Sequence, residues 1–160
     1  MAGMFPTFIS HPDDANRRYS AQAGDEWPRN LQIGFYLICT ASVIMLLTGM
    51  LLFSEGAPSM GDVAAQQKAT MNWRTVTFGN IILGVLLVSA AAYFRQGNKV
   101  ARRFAAGFTA AALFLNLTAF LVHLVTAWTA VLVAVLLAFA MLFAFRPDSN
   151  AFVDKMSPRF

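Results

Sequence analysis

Four long apolar stretches, none containing Asp, Glu, Lys or Arg, constrain this chain more than any other feature: Leu31–Phe53, Thr75–Phe94, Phe104–Val125 and Trp128–Phe145. A helix rises ~1.5 Å per residue, so stretches of this length match the ~30 Å hydrocarbon core of a bilayer. The runs are too long for strands and do not alternate with period two. A helix also satisfies its own backbone hydrogen bonds, which lipid cannot do. The expected fold is therefore an all-α membrane protein with four transmembrane helices. Composition agrees: 58% of the 160 residues are apolar and only 12% are charged, about half the usual share for a soluble domain. That balance excludes a soluble enzyme and a disordered chain. The single cysteine, Cys39, excludes a disulfide scaffold.

The basic residues set the expected orientation. Arg17, Arg18 and Arg29 precede the first stretch. Arg95, Lys99, Arg102 and Arg103 lie between the second and third, and Arg146, Lys155 and Arg159 follow the fourth. Only Lys68 and Arg74 fall on the opposite side. Excess Lys and Arg mark cytoplasmic loops, so both termini are expected in the cytoplasm of a multi-pass cell-membrane protein. The net charge of +4 is then a topology signal and not a nucleic-acid-binding one. Trp27, Trp73, Tyr93 and Trp128 sit at or near span ends, where amphipathic rings favour the headgroup zone.

The chain divides into a cytoplasmic N-terminal arm (1–30), a four-helix transmembrane domain (31–145) and a cytoplasmic tail (146–160). The arm has no continuous apolar run and carries Asp13–Asp14 early, unlike a cleavable signal peptide. Its Met4, Phe5, Phe8 and Ile9 are apolar anchors on a segment too short to build a core. With Arg17, Arg18, Tyr19 and Trp27 they form a candidate partner-docking arm lying mainly off its own spans. In the outer loop, Ser59-Met60-Gly61-Asp62 has the spacing of a capping box with Ser59 as cap, and a helix over Val63–Met71 would run on into the second span. Gly97-Asn98 supplies turn chemistry between the second and third spans, and Arg146-Pro147 ends the fourth.

Groups able to do chemistry are sparse. All eight acidic residues lie outside the spans, which argues against a proton-coupled exporter or an ion pump. There is no phosphate-cradling glycine loop, no nucleophile elbow and no His/Cys cluster with metal spacing. No catalytic, metal or cofactor-binding residue is assigned, and the chain is not expected to be an enzyme. The third span alone has a polar stripe: Thr109, Asn116 and His123, seven residues apart, are expected to share one helical face. Interhelical hydrogen bonding is the favoured role for that face; a ligand or quinone contact is the alternative. A bis-histidine haem site would need His11, which lies on the arm. Small-residue pairs, including Gly107/Ala111 and Ala106/Ala110 in the third span, Asn80 and Gly84 in the second, and Ser42 and Gly49 in the first, mark faces where helices approach closely.

The four spans, the interior without charge, and the arm with Asn16-Arg17-Arg18-Tyr19 and Asp25-Glu26-Trp27-Pro28 resemble the small accessory membrane subunits of the actinobacterial respiratory supercomplex. That assembly joins a cytochrome bc1-type complex to an aa3-type oxidase. The resemblance implies a stabilising or bridging subunit in a larger membrane complex. Haem and copper would belong to neighbouring subunits, and no cofactor-binding residue would be carried by this chain. The rival expectation is a small transporter or a lipid- or quinone-binding protein that uses the polar face of the third span.

Overall fold

The structure, a computed structural model, describes residues 24 and 26–157. Those residues form five α-helices and one short 3-10 turn: α1 (Arg29–Glu55), α2 (Val63–Ala92) followed by the turn Tyr93–Gln96, α3 (Lys99–Leu121), α4 (Ala127–Ala144) and α5 (Pro147–Met156). The first four are long and apolar enough to cross a membrane.

Many of the side chains buried between the helices are small, and many large ones face outward. Ala41, Ala91, Ala105, Ala112, Ala140 and Ala144 are buried with Ile38, Met45, Leu87 and Leu137, whereas Phe104, Phe114 and Trp128 face outward. In lipid no hydrophobic force drives helices together, so close backbone approach and dispersion contacts must do so. Gly49 marks the tightest approach of α1 and α2. A Cβ there would lie 2.6 Å from Ile81 Cγ1 and 2.9 Å from the Thr77 carbonyl oxygen. Gly34 does the same between α1 and α4, where a Cβ would stand 3.1 Å from the Ala140 carbonyl.

Helix boundaries differ from the expected spans in three informative places. α2 begins at Val63, twelve residues ahead of the expected second span, so the anticipated outer helix is continuous with it. Its cap is Asp62, which accepts from Ala65 N at 3.0 Å; Ser59 does not cap it. Gln66 then pins the preceding loop, accepting from Met60 N and donating to the Pro58 carbonyl. α3 stops at Leu121, short of Val125. The tail, expected as a cytoplasmic extension, forms α5 and packs on the bundle with Phe152 and Val153 buried. Pro147 occupies the first turn of α5, where its missing N–H costs nothing.

α5 gathers the other elements at one end. Asn30 at the start of α1 donates to Asp148. Ser157 Oγ donates to the Gly97 carbonyl at 2.8 Å, and Lys99 pairs with Asp154 at 2.9 Å. The start of α1, the α2–α3 connection and the end of α4 therefore meet at the same end of the bundle as α5.

Candidate functional site

Thr109 and Asn116 do share a buried face of α3, and that face is turned into the bundle. Asn116 is 2% exposed and Asn80, opposite it on α2, is fully buried. Asn116 Nδ2 donates to the Ala112 carbonyl at 2.9 Å and reaches Asn80 Oδ1 at 3.4 Å. Asn80 Nδ2 donates to the Val76 carbonyl at 2.9 Å. The pair joins α2 to α3 in the way a polar contact in a membrane bundle is expected to. Asn80 was visible in the sequence as a small polar residue one turn before Gly84. Its pairing with Asn116 required knowing that two antiparallel helices meet at that level. Asn116 Oδ1, and the hydroxyls of Thr109, Ser42 and Thr77, are buried with no partner among the described residues.

His123 does not belong to that face. It lies past the end of α3, exposed, with φ 58°. His123 N donates to the Phe120 carbonyl and Leu124 N to the Ala119 carbonyl, each at 3.0 Å. This pair of bonds is a Schellman motif, which places the residue just after the helix in the left-handed region. The heptad spacing from Thr109 thus breaks at the last step, because the helix has ended and the chain has turned away. Gly97 is held in the same way after the 3-10 turn: φ is 64°, its N–H bonds the Phe94 carbonyl, and Asn98 N reaches the Tyr93 carbonyl.

Of the candidate docking residues, Met4, Phe5, Phe8, Ile9, Arg17, Arg18 and Tyr19 lie outside the described residues. Trp27 is described, and it is half-buried on its own bundle. Its ring meets Phe35 edge-on with centroids 5.6 Å apart, and its carbonyl accepts from Gln32 Nε2 at 2.8 Å. The expected separation of the arm from its own spans does not extend to Trp27. The indole sits two residues before α1 and has an apolar ring one to two turns into that helix to cover it.

A second polar centre escaped the sequence reading. Arg102, only 7% exposed, lies near the start of α3 beneath α5. Its Nη1 donates to Asn150 Oδ1 at 2.7 Å and to the Ala144 carbonyl at 3.3 Å, and the guanidinium stacks over Phe145 at 4.7 Å. It satisfies the last carbonyl of α4 and ties three helices together. In the sequence Arg102 is one of four basic residues in a connection, so charge counting assigned it to topology alone.

A groove of about 220 Å³ runs along the seam between α3 and α4, and Asn116 is one of its lining residues. Among the described residues no group of His, Cys, Asp and Glu is placed to hold a metal ion. No protein-family model, curated protein or solved structure matches this chain significantly.

Proposed function

We propose that this chain is a non-catalytic accessory subunit that stabilises or bridges a larger membrane complex, specifically a respiratory electron-transfer supercomplex, with both termini on the cytoplasmic side. The observation that carries the reading is the unused close-packing face of α3. Gly107, Ala110 and Ala111 are exposed, and a Cβ at Gly107 would meet nothing within 4 Å. Ser42 and Gly49 of α1 and Asn80 and Gly84 of α2 are consumed inside the bundle, whereas Gly107, Ala110 and Ala111 form a second face of α3 turned away from its buried Ala105 and Ala112. Such a face lets another transmembrane helix approach closely. Thr109 and Asn116 are enclosed by helix packing, which favours this structural role over a transport path along α3. Haem and copper chemistry belongs, on this reading, to the neighbouring subunits.

Purification through a C-terminal tag in mild detergent tests it. The full chain is expected to bring down large partners with haem absorbance, and Gly107→Leu is expected to weaken that recovery while leaving the bundle folded. Recovery of a homogeneous small oligomer overturns the proposal.

A further inference from the structure

The end of the bundle where α5 docks carries more positive charge than its own contacts use. Lys99 there is committed to Asp154, and Arg102 is buried against Asn150 and the Ala144 carbonyl. Arg29, Arg95, Arg103 and Arg146 are exposed, and none of the four pairs with a carboxylate among the described residues. Asp148 already accepts from Asn30, so Glu26 is the one other described carboxylate at this end. At the opposite end Lys68 and Arg74 are matched in number by Glu55 and Asp62. Like charges gathered without counter-charge repel one another, and an external anion relieves that repulsion.

Position says what kind of anion. The four arginines come from separate places in the fold: the first residue of α1, the 3-10 turn, the second turn of α3 and the α4–α5 junction. Arg95 follows exposed Tyr93 by two residues, and Arg103 directly precedes exposed Phe104. Arg146 directly follows exposed Phe145 and lies over the Phe143 ring at 4.9 Å. Charge and exposed apolar surface thus meet at one level, as they do at the boundary between headgroups and hydrocarbon. A soluble acidic protein would need the charge on the end face itself. α5 occupies that face, and its exposed residues include Asp148 and Asp154 beside Lys155.

We propose that this arginine rim binds the headgroups of anionic phospholipid from the protein's own bilayer, in preference to zwitterionic lipid. Both lipids offer a phosphate, but in the zwitterionic kind an ammonium group already balances it. The surface belongs to this chain alone and does not rest on the accessory-subunit reading.

The test uses the purified full chain in phosphatidylcholine bilayers, with trace spin-labelled phosphatidylglycerol or phosphatidylcholine. Electron paramagnetic resonance reads the fraction of each label held at the protein surface. Phosphatidylglycerol is expected to associate ~2- to 5-fold more strongly at about 0.1 M salt. The preference should fall toward unity at about 1 M, where the screening length is ~3 Å. Arg29→Gln, Arg95→Gln, Arg103→Gln and Arg146→Gln together should abolish it, whereas Lys68→Gln with Arg74→Gln should leave it unchanged. No preference in the parent chain, a preference that survives high salt or the four arginine substitutions, or its loss on changing Lys68 and Arg74 would each overturn the proposal. Capture of added polyglutamate without any lipid preference would also overturn it, and would give the arginines to an acidic protein instead. Should the fourfold variant fail to fold, Arg95→Gln and Arg103→Gln singly decide the matter. Neither side chain makes a hydrogen bond among the described residues, and each change should lower the preference in part.

Discussion

His123 and Gly97 occupy the same backbone position in the same helix-ending motif, and only one of them is the residue that position favours. An L-residue in the left-handed region costs ~1–2 kcal/mol, an amount glycine avoids. His123→Gly is therefore expected to keep or raise stability by up to ~1 kcal/mol, and His123→Val to lower it by ~1–2 kcal/mol. Thermal unfolding in detergent measures both, and a large loss in the glycine variant would point to a role for the imidazole beyond ending the helix. Glycines supply a sharper contrast. At Gly49 even a methyl group meets the Thr77 backbone and Ile81, so Gly49→Ala should cost ~1–3 kcal/mol as α1 and α2 are forced apart. Gly107→Ala should stay within ~0.5 kcal/mol, because that position faces away from the bundle. The same residue type at helical spacing gave no means of telling the two apart in the sequence.

At the scale of elements, α5 is the least expected part of the molecule. Its hold on the bundle combines buried Phe152 and Val153 with Arg102, Asn150 and the Ala144 carbonyl. Arg102→Met keeps much of the apolar stem and removes the donors, leaving a buried carbonyl and amide oxygen unpaired. The loss should be ~1–3 kcal/mol and local to α5. Faster tryptic cleavage after Lys155, within α5, with α1–α4 still folded, would register it; cleavage at the parental rate would show that the apolar contacts suffice. α2 is a single helix with two environments. Leu86 is in the apolar section and Gln66 in the section near the helix start that pins the loop. Leu86→Arg is expected to impair insertion by ~2.5–3.5 kcal/mol on insertion scales. Gln66→Arg should insert normally and free the loop at Pro58–Met60, a difference that glycosylation-site insertion reporters and loop proteolysis would separate.

For the whole molecule, the number of spans and the clustering of basic residues make one consistent statement. Arg29, Arg95, Lys99, Arg102, Arg103, Arg146 and Lys155 gather at the end where α5 docks, and Lys68 and Arg74 lie toward the other. By the positive-inside rule the α5 end is expected to be cytoplasmic. Reporter fusions within 61–68, after Gly97 and at Phe160 are expected to read outside, inside and inside. An outward-reading C-terminus would invert the topology and, with it, the face offered to a partner. Removing residues 1–20 should leave insertion intact and weaken recovery of partners. Equal recovery would move the anchoring from the arm to α3.

The sequence by itself determined that this chain has four apolar segments of spanning length, and it placed the second and third connections to within a few residues, though the second helix begins twelve residues ahead of its expected span. Partition into lipid depends on hydropathy summed along a segment, which is local information. It also carried the turn at Gly97-Asn98, since that chemistry is local too. The tertiary structure alone decided which side of each helix faces inward. In a soluble helix an apolar stripe marks that side, but here both sides are apolar: Ala112 and Ala119 are buried while Phe114 and Leu117 on the same helix face out. Asn80 and Asn116 therefore read as separate residues until the helices were set against each other. His123 kept the spacing of a face it does not share, and Arg102 passed for a topology signal. In each case the deciding contact joins residues far apart in the chain, and periodicity in a uniformly apolar helix carries no record of its neighbours.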